Sequence, residues 1–372
     1  MGLNKDIVLA ISPEQGGSGG CYWHRVATIA NCLNANKEYN TKVVTTPMPI
    51  FDSNLLQRVR CVFIQRPAYP APWIKEYKNL QPKFGNYSIV AEFDDAWDNI
   101  IPEYNASSLQ PRDWNMIDKI LRENLSYCDR VIVTTEFLRR KLNKDYNIWN
   151  VKVIENAAPK SIYSANRKTF FRDKPLCLIP SGMQHYRSPI PFNPQQPIGA
   201  VGLRGDYCGE WPEFLIKNIG EQKIQLHAMA DKPYFLGPVH EFIETSPWLD
   251  TPNYAAFITR MQPDIILAPL VENDFNKCKS RLKCAEGFAI GAIVIGNVFE
   301  YSPYEVLHPY CKVPPNPTME QLETVFKNVK EHWKEILEYQ YDFINKNGEF
   351  MESNDHVNKY LEAFAPLTQE LV

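Results

Sequence analysis

No run of 18 or more apolar residues occurs in the chain, so the sequence offers no membrane-spanning helix. No CxxC pair occurs among the nine cysteines, at 21, 32, 61, 128, 177, 208, 278, 284 and 311. That removes zinc-ribbon and thioredoxin-like readings and leaves reduced, mostly buried thiols. The seven histidines form no HExxH-like cluster, so no metal site is expected. A dominant charge is also lacking. Lys and Arg total 40 against 43 Asp and Glu, a net charge of −3, which exerts no global pull on nucleic acid or an anionic membrane, although a local basic patch stays open. The start, MGLNKDIVLAIS, passes directly into a strand-like run without the basic-then-apolar pattern of a secretory leader, and Asp6 stands where myristoylation needs Ser or Thr. These absences lead to the expectation of a cytoplasmic protein.

What is present is a chain of 372 residues, 44% hydrophobic and 12% aromatic, enough for two full cores of roughly 150–200 residues each. Short apolar runs alternate with helical patterns. Strands are expected at 7–11, 42–45, 59–65, 88–92, 130–134 and 151–155, with helices at 22–34, 114–125 and 136–143. A second series places strands at 176–180, 198–201, 224–229, 265–268, 292–295 and 310–313, and helices at 211–219, 253–261, 280–290, 319–343 and 355–364. Short apolar strands separated by helices imply parallel sheets covered on both faces. The expected class is therefore α/β, with two Rossmann-like domains facing across a cleft. The first domain is 1–158 and a basic segment at 159–174 is read as a linker. The second is 175–345, and a terminal helix within 346–372 is expected to pack back on the first domain.

Three segments carry chemistry. After the first strand comes Gln15-Gly16-Gly17-Ser18-Gly19-Gly20, then Tyr22-Trp23-His24-Arg25. Glycines let a ligand approach the backbone, and the helix that follows offers free N–H groups to an anion. The spacing is not the dinucleotide fingerprint, since Tyr22 occupies the third glycine position, so a hydride-transfer enzyme is disfavoured. A plain surface turn is the competing reading, with His24 and Arg25 as ordinary helix-surface residues. After the fourth strand stand Asp94, Asp95 and Asp98, with Trp97 between them, where an open α/β sheet places its functional groups. They suit contacts to sugar or acceptor hydroxyls, or base catalysis if the surroundings raise a pKa. A capped turn explains them equally well. The third segment runs from Pro269 to Ile295 and reads as strand, polar loop, helix and next strand. There Lys279 and the helix N-terminus suit a diphosphate, Ser280 is placed to cap the helix, Glu286 lies two turns in, and Gly291 ends the helix.

The run APLVENDFNKCKSRLKCAEGFAIGAIVIG, residues 268–296, resembles the donor-binding region of family-4-like, retaining GT-B glycosyltransferases, in the bacterial and phage branch with a PL..N.FN..KS.LK..E pattern. RPAYPAPWIKEYKNL, SIVAEFDDAWDNIIPEYN, YCDRVIVTTEFLRRKL, VKVIENAAP, IPSGMQHY and PDIILAPL resemble other segments of that branch, in the same order, over roughly residues 7–345. The resemblance implies transfer of a sugar from a nucleoside-diphosphate donor, such as a UDP-sugar, to an acceptor hydroxyl, with retention and with neither metal nor cofactor. It implies donor contacts from Gly17, Ser18, Gly19, Asn276, Lys279, Ser280, Lys283 and Glu286, with Arg187 and Arg204 as further diphosphate candidates. Asp94 and Asp95 become the catalytic candidates, and His24, Arg25, Arg66, Trp97 and His185 the sugar or acceptor contacts. Relatives often carry two glutamates eight apart. Glu286 fits the second, but Cys278 stands in place of the first.

Two acceptors stay open. One is a glycan or another soluble polymer. The other is phage DNA with hydroxymethylated bases, for which Arg139, Arg140, Lys141 and the basic segment would meet phosphates. From a different class, a non-catalytic sugar-nucleotide or carbohydrate-binding protein would use the same fold.

Overall fold

The structure, a computed structural model, describes residues 5–15, 20–96, 114–163, 168–180, 206–230, 232–346, 350 and 353–367. Two compact units emerge. The first holds the described residues up to 96, those from 114 to 159 and those from 350 onward; the second holds 160–346.

In the first unit the strands are β1 (Ile7–Ile11), β2 (Lys42–Thr46), β3 (Val59–Gln65), β4 (Ser88–Phe93), β5 (Arg130–Val133) and β6 (Val151–Val153). They form one parallel sheet in the order β2-β1-β3-β4-β5-β6. Val8, Leu9, Val62, Ile64, Ile89 and Val90 are fully buried, because aliphatic side chains on both strand faces are covered in such a sheet. The order reverses between β1 and β3, which sets the unit's switch point, where ligands of open α/β sheets bind.

The second unit repeats the plan with β7 (Leu176–Ile179), β8 (Gln225–Met229), β9 (Ile243–Ser246), β10 (Ile265–Ala268), β11 (Ile293–Asn297) and β12 (Lys312–Val313). The order is β12-β11-β10-β7-β8-β9, all parallel. Its switch point lies between β7 and β10. The α/β class with two Rossmann-like sheets thus matches the reading of the sequence. The expected strand at 198–201 lies outside the described residues. β9 was not expected: only Ile243 and Ser246 of its four residues are buried, so it has no continuous apolar run to announce it.

The segment read as a linker, 159–174, contributes packing to the second unit. Tyr163 is buried, and the buried Lys168 donates to the carbonyls of Gln262 and Pro263 and pairs with Asp264 at 2.7 Å. Arg172 pairs with Asp264 as well, at 2.8 Å. Periodicity gives no hint of this, since each contact is a single long-range pairing. At the other end, the helix Asn354–Ala363 lies in the first unit. Val357, Tyr360, Ala363 and the adjoining Phe364 join the core of Val8, Ala10, Phe63 and Val90.

Candidate functional site

At the carboxyl end of the first sheet a knot of buried polar groups surrounds the switch point. Ser12, just past β1, donates to Gln65 at the end of β3, Oγ to Oε1 at 2.5 Å. Alternation along β4 puts Glu92 and the following Asp94 on one side of the sheet. Each carboxylate meets its own arginine. The Arg66 guanidinium donates to both oxygens of Asp94 at 2.6 Å and to Glu14 Oε1 at 2.7 Å. Arg25 donates to Glu92 at 2.6 Å, to the Ile154 carbonyl at 2.8 Å and to Asn156 at 3.1 Å. Thr134, past β5, donates to the Asp94 carbonyl at 2.9 Å. Arg66 has a φ of 50°, in the left-handed region where a non-glycine residue stores of order 1 kcal/mol or more of strain. Its side-chain bonds, among them one to Cys21 Sγ, hold it there.

The two carboxylates differ electrostatically. Burial opposes ionisation of Asp94, but the Arg66 charge and hydrogen bonds outweigh it and hold the carboxyl down at about 2. Burial dominates at Glu92 and pushes it up to about 7, against the pull of Arg25. Divergent environments for neighbouring acids are a mark of functional sites.

These placements change several expectations. Arg25 and His24, read as surface or ligand contacts, are buried. A turn of π-helix at Trp23–Ala27 rotates them inward, and Arg25 is spent on the core pair with Glu92. Arg66, expected to touch sugar or acceptor, is committed to Asp94 and Glu14. Asp94 is a fixed, ionised carboxylate, so it does not have the raised pKa that base catalysis asks for. Asp95 is half-buried. Gly17, Ser18, Gly19, Trp97 and His185, with Arg187 and Arg204, lie outside the described residues.

In the second unit the polar loop follows β10 at that sheet's switch point. Asn273 caps the short helix Asp274–Lys277, accepting from the Asn276 amide at 2.9 Å. The buried Asn276 side chain donates to Asp206 Oδ1 at 2.9 Å and to the Val271 carbonyl at 2.8 Å. Asp206 Oδ1 also accepts from the Val271 amide at 3.2 Å. Asn276 therefore shapes the loop. Lys279 Nζ lies 4.5 Å from the Phe275 ring centroid. The helix starts later than expected, at Leu282, with Arg281 at its N-cap and no cap bond from the Arg281 side chain.

The helix Leu282–Ile290 carries Glu286, which is buried. One oxygen accepts from the Tyr163 hydroxyl at 2.9 Å and the other from Lys283 Nζ at 2.9 Å. Lys283 Nζ also lies 5.3 Å from the Tyr254 ring. Gly287 lets the helix press on the sheet: a Cβ there would come within 2.4 Å of Val294. Gly291 closes the helix at φ 73° and leaves room for Lys168, whose Cβ would be 3.2 Å from an added Cβ.

Sequence reasoning brought Lys279, Lys283 and Glu286 onto one loop and helix, and the i, i+3 spacing of Lys283 and Glu286 announces their pair. It missed Tyr163, Tyr254, Asp206 and Glu14, whose contacts are long-range and carry no local signal. Among the described residues no group of three or more His, Cys, Asp or Glu could hold a metal ion.

No protein-family model matches the chain, and no curated protein matches its sequence. Solved structures do match in shape. A glycosyltransferase from Rickettsia africae ESF-5 shares 16% identity at a TM-score of 0.58, over 97% of this chain and 98% of its own. HepE from Anabaena, solved with UDP and glucose, shares 11% identity at a TM-score of 0.54, over 97% and 98%. At such identities the likeness establishes the fold, which is the GT-B architecture of paired α/β units.

Proposed function

We propose that the chain is a retaining, family-4-like glycosyltransferase that moves a sugar from a nucleoside-diphosphate donor to an acceptor hydroxyl without a metal. The observation that carries the reading is the arrangement at the second switch point. A basic loop with Lys279 leads into a helix N-terminus, and about one turn in lies a buried carboxylate, Glu286, held at both oxygens. A diphosphate fits the first part, through the helix N–H groups and Lys279. A ribose diol fits the second.

The bond from the anomeric carbon to the diphosphate oxygen breaks, the acceptor hydroxyl oxygen bonds to that carbon and its proton goes to the leaving diphosphate, whose charge the fixed positive potential of Lys279 and the helix start stabilises. In the first unit Asp94, kept ionised by Arg66, supplies fixed negative charge, and Asp95 is the candidate for contact with the acceptor hydroxyl. HepE, solved with UDP and glucose, makes a UDP-sugar the first donor to try.

A glycan or other soluble polymer is the acceptor favoured over DNA. Five of the basic residues suited to phosphates have carboxylate partners within their own unit: Arg139 and Arg140 with Glu136, Lys141 with Asp145, and Lys168 and Arg172 with Asp264. Solvated free cations would have suited a nucleic-acid surface better.

A thermal-shift screen of nucleoside diphosphates and nucleotide sugars tests the reading. A true ligand at 100 times its Kd adds about 2.7 kcal/mol of stability by mass action. Glu286→Ala should lose most of that shift, and the unaltered protein should slowly release free sugar from the donor it accepts. A protein that responds to none of these ligands is not a nucleotide-sugar enzyme.

A further inference from the structure

We infer that Tyr163 is a positioning residue of the donor site: its hydroxyl orients the Glu286 carboxylate toward the ribose of the bound nucleotide. The inference rests on the function proposed above and deepens it. Tyr163 comes from the segment that precedes the second sheet, 123 residues before Glu286 in the chain, and is buried. Its hydroxyl donates to Glu286 Oε1 at 2.9 Å while Lys283 donates to Oε2 at 2.9 Å. With both oxygens engaged, the carboxyl plane is fixed about its terminal torsion, which is otherwise broad.

A second tyrosine points to what the carboxylate is held for. The Tyr254 hydroxyl is buried and has no hydrogen-bond partner among the described residues, although the Lys283 ammonium lies over its ring and the Glu286 charge, after burial itself, raises its pKa. A buried hydroxyl beside a pinned carboxylate has a use once a ligand brings its own hydroxyls, and unsatisfied buried polar groups call for such an explanation. A site built around a ligand hydroxyl rejects the analogue that lacks it. A role confined to folding would leave that discrimination untouched.

The experiment is calorimetric titration of UDP and 2′-deoxy-UDP into the full chain and into Tyr163→Phe. The unaltered protein should prefer UDP by about tenfold or more. In Tyr163→Phe the affinity for UDP should fall about tenfold, as for loss of a hydrogen bond to a charged group. Affinity for 2′-deoxy-UDP should change less than about twofold, so that the preference collapses. Equal weakening of both ligands, or an unchanged preference, overturns the inference. Lys283→Met releases the other oxygen and should collapse the preference in the same way; it decides the matter if a melting curve shows Tyr163→Phe unfolded. A protein that binds none of UDP, GDP, CDP and ADP overturns the functional reading and this inference together. Binding of UDP without the Tyr163 effect overturns this inference alone.

Discussion

Replacing Asp94 with Asn removes the charge that Arg66 was placed to hold. The carboxyl has both oxygens within 2.6 Å of the guanidinium and is held at about 2 against an ordinary 3.8. At about 1.36 kcal/mol per pH unit, that difference is worth about 2 kcal/mol to the folded state. Because the folded value is depressed, the stabilisation is full only well above pH 3.8 and is lost progressively as the pH falls through about 2. The share of the gap between wild type and Asp94→Asn that comes from this charge should shrink by about 1 kcal/mol between pH 4.5 and pH 3. Urea unfolding of both proteins at several pH values in that window measures it. A gap that stays constant or widens toward pH 3 refutes the view that Asp94 is folded as an ionised partner of Arg66.

Three other perturbations have definite outcomes. His356, buried under the terminal helix and beside the Arg25 charge, is pushed down to about 3. Below pH 6.5 the unfolded chain therefore gains a proton that the folded one refuses, and between pH 7 and pH 5 wild type should lose about 2 kcal/mol more than His356→Gln, read from urea midpoints. Gly287→Ala puts a methyl 2.4 Å from Val294 and 3.3 Å from Ile266; calorimetry should show a lower Tm and a cost of about 1–3 kcal/mol from overpacking. Arg25→Met leaves Glu92 buried without its cation and should cost about 3–5 kcal/mol in denaturant unfolding near neutral pH, more than any single exposed pair in the helix Glu136–Tyr146.

Much of the scaffold was legible because it is written in local pattern. Continuous apolar runs such as Ile7–Ile11 and Ile265–Ala268 can be little but buried parallel strands when helices flank them. Glycine at 291 marks a helix end because the left-handed cap tolerates it. The segment from Pro269 to Ile295 was legible for the same reason: strand, loop and helix follow one another, so Lys279, Lys283 and Glu286 share a neighbourhood by connectivity alone. The acidic turn at Asp94 and Asp95 was found, but its state was not. The Arg66 that fixes Asp94 is 28 residues away, and the Arg25 that meets Glu92 is 67 away.

The sequence alone therefore determined the α/β class, most strands of the two sheets and the loop and helix that carry Lys279, Lys283 and Glu286 together. Tertiary structure alone decided which of those groups are committed. It turned Arg25 inward on a π-helical turn, gave Arg66 to Asp94, drew Lys168 to Asp264 and set Tyr163 against Glu286. Periodicity is a property of neighbours in the chain, fixed by 3.6- and 2-residue repeats. Ion pairs and buried hydrogen bonds form between residues that only the packed sheets bring together, and their charge states follow from burial, which the chain acquires on folding.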